Sequence, residues 1–196
     1  MNYESLSSEL LRALRGKRSQ TAFSKRLGYR SNVAYAWESG RAWPTALDFF
    51  GILERSGRKL EPALAAFFRV PAGTTLKVDL KSARGVAAFL NDLRGRTAVV
   101  DLARATKRSR FAVARWLKGD ADPRLPDFLR LVECASLRLL DVLACFIDPG
   151  TLPAAAKLWR ELEAARRAAY ERPWSHAVLR VIELPEYRKL RAHEPG

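Results

Sequence analysis

The side chains best able to do chemistry in this sequence are the cationic ones. The 196 residues include 35 Lys and Arg against 21 Asp and Glu, which gives a formal net charge of +14 and a pI near 10.5. Such an excess attracts polyanions, so it indicates nucleic acid or an anionic membrane surface as a partner. No apolar run approaches the roughly 18 residues that a membrane-spanning helix needs, and we therefore expect no membrane-embedded segment.

Residue types that support catalysis or metal binding are sparse. The sequence shows no nucleophile–base–acid set, no glycine-rich phosphate loop and no cluster of metal ligands, and the neighbouring Glu161 and Glu163 are explained by solubility. Two cysteines and two histidines are too few for a disulfide framework or a zinc site. We therefore expect a protein that is not an enzyme and needs no cofactor or metal. The start, MNYESLSSEL, does not have the pattern of a secretory signal, so we expect a cytoplasmic protein with Cys134 and Cys145 as reduced thiols.

An internal repeat organises the chain. When the sequence is shifted by 79 residues, positions 11–67 match 90–146 at 15 of 57 places, without a gap. Chance pairing would give about 4. Both copies keep the spacing W-x-x-G-x-A-x-P, with Trp37 and Pro44 in the first and Trp116 and Pro123 in the second. The repeat predicts two structural units of the same kind.

Each copy is predicted to be all helical. Leu6, Leu10 and Leu14 recur at helical spacing in the first copy, and glycines, caps and prolines mark four further helices up to about residue 68. Thr45 and Asp48 form a capping box, and Pro126 is expected at the first position of the matching helix in the second copy. We predict an all-α fold with five-helix units at 1–70 and 82–149, a linker at 71–81, and a C-terminal helical extension at 150–196.

The segment SQTAFSKRLGYRSNVAYAWESGRAWP, at 19–44, resembles the helix-turn-helix domain of the phage-repressor and Cro family, of the xenobiotic-response-element type. The resemblance covers nearly all of residues 5–67. It implies a second helix with a small residue at Ser24, a turn at Gly28, and a third helix that lies in the major groove of DNA. Phe23, Leu27 and Trp37 are then core residues.

The resemblance also implies roles for individual residues of the first copy. Asn32 is the best candidate to read a base, since an amide can bond adenine N6 and N7 together. Ser31 and Tyr35 are candidates for base or phosphate contacts, and Gln20 for a phosphate contact. The cations expected to surround the DNA backbone are Lys17, Arg18, Arg30 and Arg41.

The second copy, TAVVDLARATKRSRFAVARWLKGDADPRLP at 97–126, resembles the same family with departures. Val99 stands in place of Gln20, Lys107 in place of Gly28, and Leu117 in place of Glu38. Its expected reading face is more basic, and the candidate DNA contacts are Lys107, Arg108, Arg110, Phe111, Arg115 and Lys118. Two interpretations stay open. Either this copy binds a different half-site, or it holds DNA by charge or supports dimerisation.

The divergence between the copies is greatest in one region. Positions 17–36 share no identical residue with their counterparts, whereas scaffold positions recur outside that window. Units that both bind DNA would therefore prefer different sequences. A short linker would make the second contact effectively intramolecular and raise the overall affinity.

The tail at 150–196 lies outside the repeat. It is predicted to form a helix over about 154–171 with an apolar stripe, and another that ends before Pro185. It weakly resembles the start of an uncharacterised domain of bacterial regulators, which leaves open that the chain is a shortened form. The stripe favours internal packing over a homodimer seam, and His176 is expected to be packed or solvated.

Two functions follow as hypotheses. The first is a sequence-specific regulator of transcription that binds double-stranded DNA through tandem helix-turn-helix units, with a homodimer left open. The alternative is a protein-interaction adaptor or antitoxin-like module on the same fold, with little or no specific DNA binding. A steep loss of affinity with salt would distinguish the first from the second.

Overall fold

The computed structural model describes residues 1–69, 79–171 and 174–188, and the regular structure in that part of the chain is helical. The predicted all-α class is thereby confirmed for these residues. The α-helices are α1 (Tyr3–Arg15), α2 (Gln20–Arg26), α3 (Val33–Glu38), α4 (Ala46–Arg55), α5 (Leu60–Phe68), α6 (Ala83–Arg94), α7 (Val99–Thr106), α8 (Arg110–Lys118), α9 (Leu125–Ser136), α10 (Leu139–Ala144), α11 (Pro153–Glu171), α12 (Ser175–Glu183) and α13 (Pro185–Arg188). A 3₁₀ turn at Pro149–Thr151 precedes α11.

The helices of the second copy follow the order of those of the first. Helices α7, α9 and α10 each begin 79 residues after α2, α4 and α5. The same offset separates the matching residues of the sequence repeat, so each copy has five helices in the same order.

Side-chain caps define where several helices begin. Ser19 caps α2, Ser109 caps α8, and Thr45 and Asp48 form the expected capping box on α4. Two boundaries differ from expectation. Helix α3 begins at Val33 rather than near Ser31, because the Asn32 side chain caps it. Arg124 is the N-cap of α9, which places Pro126 at the second helical position rather than the first.

Apolar residues close the interior of each copy. In α1 the leucines at helical spacing, Leu6, Leu10 and Leu14, are at most 5% exposed. Phe23, Leu27 and Trp37 are buried in the first copy, as the resemblance implies, and Leu102 and Val113 are buried at the matching region of the second. The match is incomplete, since Trp116 is only half-buried where Trp37 is 6% exposed.

The two copies lie together in one compact unit, Met1–Ala156. Three phenylalanines join them, because the Phe50 ring of the first copy lies 6.0 Å from Phe89 and 5.5 Å from Phe128 of the second, between centroids. Of the predicted linker, 71–78 lies outside the described residues, and at its end Leu80 is 5% exposed. The copies are therefore packed directly on one another.

A second unit comprises residues 157–196, of which 157–171 and 174–188 are described. Helix α11 ends at Glu171, and α12 ends before Pro185, as expected. The apolar stripe is partly solvated, since Leu158 is 42% exposed. The side chain of His176 lies outside the described residues. None of the described helices is both long enough and apolar enough to cross a membrane.

Candidate nucleic-acid interface

Helices α2 and α3 are held together through Ser24, whose side chain is buried between them. Its hydroxyl donates to the Gln20 carbonyl at 2.8 Å and accepts the Ala34 backbone N–H at 3.1 Å. A larger side chain would force the helices apart, which explains the small residue here. Gly28 follows α2 with φ +88°, a left-handed conformation that glycine adopts without strain. These two residues fix the angle at which α3 leaves the turn.

The candidate reading face of the first copy is exposed. Ser31, Asn32 and Tyr35 are all solvent-accessible at the start of α3, and Tyr35 is 45% exposed. The Asn32 Oδ1 accepts the Tyr35 backbone N–H at 3.3 Å and lies 3.3 Å from the Ser24 Oγ, whose single hydrogen is directed to the Gln20 carbonyl. Asn32 thus has two tasks: it caps α3 through its oxygen and presents its amide nitrogen to solvent. A bidentate contact to adenine needs both atoms and would weaken the cap.

Cations surround this face at both of its ends. The four expected backbone contacts are all exposed: Lys17, Arg18, Arg30 and Arg41. Arg41 lies over the Tyr35 ring at 5.1 Å from its centroid, which links the loop after α3 to the reading face. A polyanion lying along α3 would meet charge from both sides.

A buried carboxylate anchors α3 to α1 and α2. Glu38 accepts a hydrogen bond from Arg15 Nε at 2.6 Å and one from Gln20 Nε2 at 3.0 Å. Burial raises the pKa of Glu38, but the hydrogen bonds from Arg15 and Gln20 and the charges of Arg15 and Arg12 outweigh it, so the net pKa is lowered. Gln20 therefore has a structural role in this contact, in which its Nε2 donates one hydrogen bond. The sequence alone did not indicate this role for Glu38.

The second copy builds the same turn from different residues. Lys107 adopts φ +55° at the position of Gly28, and Thr106 is buried beside it. Asn91 Nδ2 donates to the Leu117 carbonyl at 2.8 Å and so ties α6 to the end of α8. The residues that match Gln20 and Glu38 are Val99 and Leu117. The Gln20–Glu38 hydrogen bond of the first copy therefore has no equivalent between the side chains at these two positions.

The exposed face of α8 carries cations around an aromatic ring. Phe111 is 82% exposed, an unusual position for a large apolar side chain. The other candidate contacts are exposed as well: Lys107, Arg108, Arg110, Arg115 and Lys118. Arg108 is paired with Asp127 at 2.8 Å. The carboxylate of Asp127 therefore partly neutralises the positive charge of Arg108.

Together the two faces can do the chemistry of groove binding. The first offers hydroxyl and amide groups, the second guanidinium groups and an aromatic ring, and both have cations at their margins. Within the described part of the chain, no group of His, Cys, Asp and Glu is arranged to hold a metal ion. In comparisons with known proteins, the chain matches no family model, no curated protein and no solved structure.

Proposed function

We propose that this chain is a sequence-specific regulator of transcription that binds double-stranded DNA. In this proposal α2–α3 and α7–α8 act as helix-turn-helix pairs, with α3 and α8 as the helices that enter the major groove. The observation that carries it is the exposed face of Ser31, Asn32 and Tyr35 on a rigidly anchored helix, with cations at both ends.

The chemistry of this face suits base edges. Hydroxyl and amide side chains donate and accept hydrogen bonds in the pattern that the major groove presents. Arginines and lysines at the margins meet phosphates, which position a protein without reading sequence. The net charge of +14 supplies the long-range attraction.

Binding to genomic fragments, followed by a salt titration, tests the proposal. Fragments retained by the full chain are sequenced, and a duplex from the enriched set is titrated by fluorescence anisotropy between 50 and 300 mM KCl. We expect the logarithm of the association constant to fall with the logarithm of salt at a slope steeper than about −4, at about −0.9 per neutralised phosphate.

Arg41→Gln and Lys157→Gln form a matched pair for this titration. Arg41 lies beside the reading face, whereas Lys157 is an exposed cation of the second unit. Arg41→Gln is expected to reduce the slope by about 1, and Lys157→Gln to leave it unchanged. A flat salt response with no enriched fragment would overturn the proposal and favour the adaptor.

A further inference from the structure

The contact between the two copies is symmetric in its hydrogen bonds. The Leu125 N–H donates to the Pro44 carbonyl at 2.9 Å, and the Ala46 N–H donates to the Pro123 carbonyl at 2.9 Å. Pro44 and Pro123 are 79 residues apart, as are Ala46 and Leu125. Each copy thus gives the other the same donor and the same acceptor. Thr45 and Arg124 pair at the centre as an antiparallel bridge.

Side chains around that bridge add further hydrogen bonds between the two copies. Asp122 Oδ2 accepts the Leu47 backbone N–H at 3.0 Å, and Arg124 Nη1 donates to the Trp43 carbonyl at 3.0 Å. Arg130 lies over the Tyr3 ring at 5.1 Å and meets Glu4 at 3.4 Å, which ties α9 to α1. In a two-fold contact, when residue i of one copy contacts residue j of the other, residue j of the first copy also contacts residue i of the second. The two backbone hydrogen bonds and the bridge therefore follow a local two-fold relation, whereas these side-chain contacts are made in one direction only.

The loops from α3 and α8 to the bridge are short and anchored. Ala42 N donates to the Ala36 carbonyl at 3.2 Å, and Asp120 N donates to the Arg115 carbonyl at 3.0 Å. From Ala42 and Asp120 only a few residues lead to the bridge. The length of the segments that connect α3 and α8 to the bridge then limits the distance between the first turns of these helices to about 55 Å. Half-sites one helical turn apart, about 34 Å, fit this limit, whereas half-sites two turns apart, about 68 Å, do not.

The two proposed reading faces differ in chemistry although the order of the helices is the same in both copies. Asn32 of the first copy suits adenine when its Oδ1 turns from the α3 cap to the base, whereas Arg110 and Arg115 of the second suit guanine O6 and N7. Phe111 offers an apolar surface for a thymine methyl group. Two helix pairs of the same order, joined by exchanged backbone hydrogen bonds, therefore present unlike side chains.

We propose that a single chain binds a non-palindromic operator made of two unlike half-sites, one helical turn apart at a fixed spacing. The first copy reads the adenine-containing half, and the second reads the guanine-containing half. This inference rests on the proposed DNA-binding function and adds the class of site. The intramolecular contact replaces the subunit interface that a dimeric binder needs.

Selection from a random 40-base-pair duplex library with the full chain tests this inference. The expected product is an asymmetric motif with two unlike halves, bound one chain per duplex by native mass spectrometry. Asn32→Ser is expected to relax preference in the adenine half only. The double variant Arg110→Gln/Arg115→Gln is expected to relax the other half only, while Lys157→Gln changes neither.

Spacing gives a second, independent readout. Inserting five or ten base pairs between the halves is expected to reduce affinity as much as scrambling one half, because docked copies cannot follow a displaced half-site. A palindromic motif bound by two chains, a motif with one half, or full tolerance of insertions would overturn the inference while the DNA-binding proposal stands. Failure to select any motif would overturn both.

Discussion

At the scale of single residues, Asn32 has a conflict between structure and recognition. Its Oδ1 caps α3, while the proposed contact with a base uses its amide group. Alanine removes both functions, whereas serine keeps the cap and removes the amide. The two substitutions therefore separate the helix-capping role from the proposed base-reading role.

We expect Asn32→Ala to lower the free energy of unfolding by about 1 kcal/mol, the usual worth of an N-cap, and Asn32→Ser to leave it nearly unchanged. Both are expected to relax sequence preference, as measured by competition between selected and scrambled duplexes. If Asn32→Ser kept full preference, Asn32 would be a cap and not a reader.

Glu38 offers a second test at this scale. Replacing it by leucine, the residue of the second copy, removes the only carboxylate paired with Arg15 among the described residues and is expected to lower the free energy of unfolding by about 3 kcal/mol. The double variant Gln20→Val/Glu38→Leu is expected to cost less than the sum of the single ones, by about 1 kcal/mol. Strict additivity in chemical denaturation would contradict the coupling between these positions.

The lowered pKa of Glu38 sets the direction of its pH dependence. A carboxyl whose pKa is depressed on folding stabilises above its unfolded pKa, and that stability is lost as pH falls through the folded value. The stability difference between the native protein and Glu38→Gln is therefore expected to be constant near neutrality and to shrink below about pH 4. A difference that grew on acidification would refute the pairing.

At the scale of elements, the turn between paired helices is the informative feature. Gly28 and Lys107 both have positive φ, but only Lys107 carries a side chain there. A side chain in this conformation costs about 1 kcal/mol. The nearest atom to an added Cβ on Gly28 is Arg55 Nη1 at 3.8 Å, so the cost there is conformational and not steric.

We expect Lys107→Gly to raise the free energy of unfolding by up to about 1 kcal/mol, and Gly28→Ala to lower it by about 1 kcal/mol. Gly51→Ala is the matched control, because Gly51 lies within α4 and an added Cβ there meets no other atom. We expect this substitution to raise the free energy of unfolding. Equal effects at Gly28 and Gly51, measured by urea denaturation, would show that the turn is unstrained.

Much of this element plan was predictable from local signals. Leucine spacing located α1, the Thr45–Asp48 box located α4, and the 79-residue offset transferred the plan to the second copy. Asn32 as a cap was not predicted, because the expected start of α3 near Ser31 placed Asn32 inside the helix rather than before it. The half-burial of Trp116 was missed since it depends on packing beyond the aligned positions.

At the scale of the whole molecule, the packing of the two copies on one another could not be predicted from sequence patterns. Its hydrogen bonds join residues some 80 positions apart, and nothing in the periodicity specifies them. The sequence suggested units joined by a linker, and the structure instead packs Phe50 against Phe89 and Phe128. A shared core changes how the two copies unfold.

Phe128→Ala is expected to lower the free energy of unfolding by about 3–5 kcal/mol, since Phe128 is 1% exposed. Because the core is shared, amides in α3 and α8 are expected to lose hydrogen-exchange protection together. Leu137→Ala is the control, because Leu137 is 80% exposed, and we expect little change. Protection that persisted in one copy alone would contradict the shared core.

The most direct measurement is a hydroxyl-radical footprint of the full chain on its selected duplex, mapped on both strands. If α3 and α8 enter successive major grooves, two protected patches should lie on one face of the DNA, about 10 base pairs apart. Arg110→Gln/Arg115→Gln should weaken one patch and Asn32→Ser the other. A single patch, or uniform protection without a defined position, would contradict two fixed reading helices on one duplex.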